Sequence, residues 1–284
     1  IYDSRASEIQ RPMRDRLVNI GPKIWFDYKA DAFFGFLATL HELGIDADIK
    51  HNELSRDRTN IVCGSDWLVR QGGTNVLTQA GLDYILVEGE FFYNKTLNGN
   101  PSFNLDLYLD YLINAKEILT PYIHNVNEFA KYNINAQYYR WGDFPGRFER
   151  MKNSKKLHAS SYYGLFKGHR KNHLEQLSGK LGKQLFLATS DNPTTFRDYC
   201  LNFSESILSI KCNDIEFVNP VRIGEALANG LPVFHNHSYD PDGYTNFCEE
   251  LPPVPELTAG SFCISKKRKK EIQEYELLIN GKLF

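Results

Sequence analysis

The feature that most narrows what this chain can fold into is a rhythm: short apolar runs of strand length alternate with longer stretches whose apolar residues recur at helical spacing. Parallel strands need such an alternation, because neighbours must be joined by a crossover, normally a helix lying on the sheet. "KIWFDY" (23–28), "ADI" (47–49), "NIVCG" (60–64), "DYILVEG" (83–89), "AKEILTP" (115–121) and "AQYYRWG" (136–142) read as strands. "ADAFFGFLATLHELG" (30–44), ended by Gly44, and "NVNEFAKYN" (125–133) read as helices. Around "DFPGRFERMKNSKK" (143–156) the apolar period stops and charge rises, which marks a linker. The pattern then restarts with strands in "HASSYYGLF" (158–166), "QLFLATS" (184–190), "SILSIKC" (206–212), "LPVFHN" (231–236) and "SFCIS" (261–265), and helices over 171–182, 193–202, 221–229 and from Lys266. The expectation is α/β: two doubly wound domains, 1–147 and 148–284, facing each other across a cleft, with room for the closing helix to pack back on the first. With 284 residues, 42% of them hydrophobic, the chain can fill both cores.

The same sequence excludes several classes. A net charge of −2 announces no global field for nucleic acid or a membrane surface. Cys63, Cys200, Cys212, Cys248 and Cys263 are odd in number and contain no C-x-x-C pair, so neither a disulfide scaffold nor a structural zinc site is indicated, and a reducing cytoplasmic setting fits. No apolar run is long enough to span a membrane. The sequons at Asn94, Asn202 and Asn236 carry no weight outside a secretory setting.

In doubly wound sheets ligands sit at the carboxyl ends of the strands, where helix N-termini offer free N–H groups and the positive end of a dipole. The segment "FVNPVRIGEALANGLPVFHN" (217–236) suits that place. Pro220 stands where a helix begins, and there its missing N–H is harmless. Arg222 and Glu225 fall one turn apart on one face near the helix start, projecting toward the cleft. A guanidinium there can clamp a diphosphate bidentately, and a carboxylate can accept two hydrogen bonds from the vicinal hydroxyls of a ribose. Asn219 precedes them, and "ALANGLPVF" supplies small residues for a sharp entry into the next strand. A second basic cluster, Lys167, Arg170 and Lys171, lies in "YYGLFKGHRKNHLEQL" (162–177), where a turn made flexible by Gly164 enters a helix. That arrangement favours an anion. Thr189, at the end of "QLFLATS", completes the candidate donor-binding set. The competing readings are a surface Arg–Glu pair and a solvated basic turn.

These motifs resemble those of the GT-B glycosyltransferases. "NPVRIGEALANGLPVF" is similar to that family's glutamate-bearing helix, and its Arg-x-x-Glu form looks closest to the spore-protein-like branch and the phage DNA β-glucosyltransferase. "AKEILTPYIHNVNEFAKYNINAQYYRWGDFPGRF" resembles the end of the family's first domain. The resemblance implies two Rossmann-like domains, the second binding a UDP- or GDP-sugar with Arg222 on the diphosphate, Glu225 on the ribose, and Lys167 and Arg170 on phosphate. It also implies that the acceptor, a glycan or a hydroxymethylated DNA base, binds the first domain, with no cofactor beyond the donor substrate. The E-x7-E motif of many retaining members would need an acid where Phe217 stands, so retention is not inherited.

An inverting transfer needs one carboxylate or imidazole to deprotonate the acceptor hydroxyl. Glu88 and Glu90, at the end of "DYILVEGE", are the candidates, and strand alternation would put both on one side. Asp27 and Asp31 are rivals. "DPDG" (240–243) imitates a metal-binding D-x-D but reads as a turn, and His235 and His237 read as satisfied polar histidines, so the transfer is expected to need no metal. Phe91, Phe92, Tyr93, Tyr138, Tyr139 and Trp141 could stack on a sugar or base, and "KKRKK" (266–270) reads as a solvated helix face. The alternatives are a non-catalytic nucleotide-sugar-binding module and a retaining enzyme of the same fold.

Overall fold

A computed structural model describes residues 15–23, 33, 36–37, 40–41, 44–97, 100, 103–139, 155–164, 166, 168–188, 193–211, 218, 220–237 and 239–279. The first half contains β1 (Asp15–Asn19), β2 (Ala47–His51), β3 (Asn60–Cys63), α1 (Ser65–Arg70), α2 (Val76–Gln79), β4 (Tyr84–Val87), the hairpin β5 (Phe92–Tyr93) and β6 (Thr96–Leu97), α3 (Leu105–Ile113), β7 (Glu117–Thr120), α4 (Ile123–Ala130) and β8 (Gln137–Tyr138). The second contains β9 (Ser160–Tyr163), α5 (Gly168–Leu181), β10 (Leu185–Ala188), α6 (Pro193–Phe203), β11 (Ile207–Ser209), α7 (Pro220–Ala228), β12 (Val233–His235), β13 (Glu249–Glu250) and α8 (Lys266–Ile279).

Each half builds its own sheet, in the orders β2-β1-β3-β4-β7-β8 and β10-β9-β11-β12-β13, and every neighbouring pair within them is parallel. Both sheets therefore reverse direction between their first and third strands, which opens a crevice at the carboxyl ends. The central strands are buried along their length, as "NIVC" and "SSYY" show, because helices cover both faces. Helix placement follows local chemistry. Asn104 caps α3 by accepting a hydrogen bond from Leu107 N, and α3 turns Leu107, Tyr108, Tyr111 and Leu112 inward onto the sheet. At the first crevice Gly64 adopts φ 106°, and a side chain there would collide with the carbonyl of Ile20. Glycine lets β3 turn into α1 against the end of β1.

Two expectations are corrected. Among the described residues the first strand is "DRLVN" (15–19), which the sequence reading passed over; of the expected strand 23–28 only Lys23 lies within the described residues, and it is helical. Leu17 and Val18 carry the burial, while Arg16 pairs with Glu53 at 2.7 Å at the sheet rim, so a short strand hides among charges. "SFCIS" forms no strand: Ala259–Phe262 is a 3₁₀ turn closed by Thr258 and Ser261, and the sheet edge is filled by β13. The closing helix α8 lies on α7, with Ile272 and Tyr275 in one core with Ile223 and Leu227. Of the expected linker, only Lys155 and Lys156 lie within the described residues.

Candidate functional site

The carboxyl end of β4 delivers Glu88 and Glu90 to the first crevice, and they are not alike. Strand geometry ends at Val87. Glu88 turns inward and is fully buried; its Oε2 accepts from the Ser65 hydroxyl and from Tyr108 OH at 2.8 Å, and its Oε1 accepts from Glu90 N at 2.8 Å. Burial pushes this carboxyl up to about 7, against the hydrogen bonds from Ser65 and Glu90 N that favour its charged form. Glu90, held by that same bond, is only half-buried. The shared side expected from alternation is lost because the chain bends back on the Glu88 side chain. Asn125, fully buried in the first turn of α4, clamps the bend: it donates to the Glu90 carbonyl at 2.9 Å and accepts from Phe92 N at 2.9 Å.

At the second crevice the charge is reversed. Arg222 and Glu225, on the first turns of α7, are 3% and 4% exposed. Arg222 donates from Nε to the Tyr163 carbonyl at 3.1 Å, and its guanidinium lies 4.7 Å from the centre of the Tyr162 ring. Glu225 accepts from Tyr163 OH at 2.8 Å; burial, with Glu225 beside it, pushes that phenol well above its ordinary value, so it stays a donor. Arg170, on α5, approaches the same Tyr162 ring at 5.8 Å. From the next strands come Ser209, whose hydroxyl meets His237 Nε2 at 3.0 Å, and Lys211, whose N–H is held by Asn236 at 2.8 Å. Gly164, at φ 137°, makes the turn that leaves β9.

The two crevices are joined by the segment after β12. Its "DPDG" is a turn, as the sequence indicates: Asp240 accepts from Thr245 N at 2.5 Å and from Thr245 Oγ1 at 2.7 Å, and Gly243 takes φ 68°. Asp242 reaches the other half, where its Oδ1 accepts from Ile123 N at 2.6 Å and so caps α4, whose own N-cap residue Tyr122 offers no side-chain bond. Tyr239 OH lies 3.0 Å from His124 Nδ1, and Tyr244 OH donates to the Pro121 carbonyl at 2.9 Å.

The structure thus brings Arg170, Arg222 and Glu225 together at one crevice and Glu88 and Glu90 at the other. Lys171 is not with the first group; it lies on the exposed face of α5, 3.8 Å from Glu175. Lys167, Thr189, Asn219, Asp27 and Asp31 lie outside the described residues, as does Phe217. Of the expected aromatics, Phe91 and Phe92 are core, Tyr93 and Tyr138 are exposed, and Trp141 lies outside the described residues. Among the described residues no group of three His, Cys, Asp or Glu side chains is placed to hold a metal ion, and no helix is long and apolar enough to cross a membrane. Sequence reasoning missed Tyr163, Ser209, Lys211 and Asn125, and saw neither His237 nor Asp242 in their places. For Tyr163, Ser209, Lys211 and His237 the one signal was position at strand ends, which gains meaning only when the strand order is known.

No protein-family model matches this chain, and no curated protein matches it in sequence. Solved structures do match in shape. A putative UDP-N-acetylglucosamine 2-epimerase from Listeria monocytogenes superposes with a TM-score of 0.50 at 9% identity, covering 95% of this chain and 91% of that one. The fold is α/β and GT-B-like. A glycosylation-associated protein complex (Gap123) from Streptococcus agalactiae matches at 0.46 and 12% identity over 87% of this chain, which spans 55% of that longer one. A ugt transferase from Siraitia grosvenorii, solved in complex with UDP, matches at 0.46 and 8% identity over 93% of this chain and 94% of that one.

Proposed function

We propose that this chain is a glycosyltransferase that moves a sugar from a UDP- or GDP-sugar, bound by the domain 148–284, to a hydroxyl of an acceptor bound by the domain 1–147. The observation that carries this reading is the burial of Arg222 and Glu225 on one helix face, beside Arg170, at the strand-order switch of the second sheet. Buried charges are retained where they serve partners or ligands. The GT-B-like fold supports the reading, as does the UDP-sugar substrate named for the Listeria neighbour. The arginines stabilise the departing diphosphate without a metal, and Glu225, oriented by Tyr163, takes the ribose hydroxyls.

Glu90 is the general base. It removes the proton of the acceptor hydroxyl as that oxygen bonds to the anomeric carbon, while the bond to the diphosphate breaks on the opposite face, so the anomeric configuration inverts. Glu88 positions it. Both Glu88 oxygens are engaged by Ser65, Tyr108 and Glu90 N, so Glu88 shapes the bend and Glu90 meets the acceptor. The acceptor is a glycan or a hydroxymethylated DNA base, the latter by analogy with the phage DNA β-glucosyltransferase, and the enzyme works in the cytoplasm.

The test is incubation of the protein with UDP- and GDP-hexoses and each acceptor class, following nucleoside diphosphate release and the product by NMR. An inverted glycoside supports the reading. A retained anomer removes Glu90 as base, a free epimerised sugar marks an epimerase, and binding without turnover marks a non-catalytic module.

A further inference from the structure

The end of β12 places a histidine at the second crevice for which the motifs gave no use. His237 is 9% exposed, and its Nε2 lies 3.0 Å from the hydroxyl of Ser209, itself fully buried at the end of the adjacent strand. Its Nδ1 is buried without a hydrogen-bond partner among the described residues. A hydrogen-bond inventory selects the tautomer. If Nε2 carried the proton, the Ser209 hydroxyl proton would be left buried and Nδ1 would be a buried acceptor with no donor. If instead Ser209 donates to Nε2, only one group remains unsatisfied, an Nδ1–H.

We propose that His237 is a donor-site ligand: its neutral imidazole gives the Nδ1–H to a phosphate oxygen of the bound nucleoside diphosphate. The inference deepens the glycosyltransferase reading and rests on its donor site. Its basis is placement: the ends of β9, β11 and β12 carry Tyr163, Ser209 and His237 to one crevice, and Arg222 of α7 donates to the Tyr163 carbonyl there. An acceptor arriving among Arg170, Lys211 and Arg222 is an anion on charge grounds. Burial, followed by the charges of His235, Arg222, Arg170 and Lys211, lowers the imidazole to about 3, so it remains neutral through the working range. A neutral donor adds a directed hydrogen bond without adding a further buried charge.

The experiment is calorimetric titration of wild type and three variants with UDP, GDP, the matching nucleosides and inorganic pyrophosphate, after circular dichroism has shown that each variant folds. His237→Phe keeps the ring volume and loses the donor, His237→Gln keeps a polar group only at the Ser209 side, and His237→Asn keeps an N–H near the Nδ1 position. His237→Phe and His237→Gln are expected to weaken nucleoside diphosphate and pyrophosphate binding by roughly 10- to 100-fold, leave nucleoside binding unchanged, and be rescued by His237→Asn. In wild type, ¹H–¹⁵N correlation should show the Nδ1–H tautomer before ligand is added. An Nε2–H tautomer, or equal losses for nucleoside and diphosphate, overturns the inference while the donor site stands. Pyrophosphate binding without nucleotide binding keeps the anion site and overturns the glycosyltransferase reading; binding of neither overturns both.

Discussion

The two sheets share a winding order at their crevices, yet one crevice is lined by a buried acid and the other by buried bases. At the first, Glu88 is enclosed by hydroxyl and amide donors and is pushed up to about 7 by burial. At the second, Arg170 and Arg222 lie against Tyr162 while Tyr163 and Glu225 bond each other. The same backbone plan supplies the same cradle, and a few side chains at strand ends decide whether it is lined by a buried carboxyl or by buried cations.

The sharpest way to break that contrast is to remove the proposed base. Glu90→Gln is expected to cut turnover by about 10²–10⁴-fold and leave nucleotide affinity unchanged in calorimetry; loss of affinity instead would mean that the first crevice also binds donor. Next comes pH. The folded Glu88 carboxyl, near 7, keeps a proton that the unfolded chain, at 4.5, has released, so stability falls as pH rises between those values and is level above them. The span amounts to about 3 kcal/mol. Denaturant titrations across that window should show the slope in wild type and its absence in Glu88→Gln.

In the second crevice, Arg222→Lys and Glu225→Gln should each weaken nucleoside diphosphate binding by roughly 10- to 100-fold, read by calorimetry, with turnover at saturating donor falling less. Removing the cap between the halves, Asp242→Ala, should lower stability by about 1 kcal/mol in urea unfolding, with Asp242→Asn keeping most of it. The smallest expected effect is none: transfer should survive EDTA, because in the proposed reading the cations of the second crevice take the place of a metal. A loss restored by added metal would direct attention back to Asp240 and Asp242.

What could be read in advance followed the range of the interactions. The shared helix face of Arg222 and Glu225 was legible because helical spacing is local and Pro220 fixes the start. The strand at 83–89 was legible because "YILV" is apolar throughout. The strand at 15–19 was not, since Leu17 and Val18 sit among charges that find partners only at the sheet rim, and "SFCIS" had strand composition without a place in the sheet. Ser209 and His237 meet because Ser209 pairs with His235 in register. No spacing in the chain encodes that pairing. The difference between Glu88 and Glu90 was hidden for a similar reason: it depends on Ser65, Tyr108 and Asn125, which approach from three separate helices.

The cap that Asp242 places on α4 also bears on how such proteins can be recombined. The two halves look interchangeable, each with its own sheet, but residues 121–124 and 239–244 are the two sides of a single joint. A chimera that took one domain from a relative would have to transplant both stretches as a matched set. Taken singly, the graft would leave an exposed helix end on one side and a carboxylate without its amide on the other. An exchange between such chains would therefore have to respect the seam as much as either half.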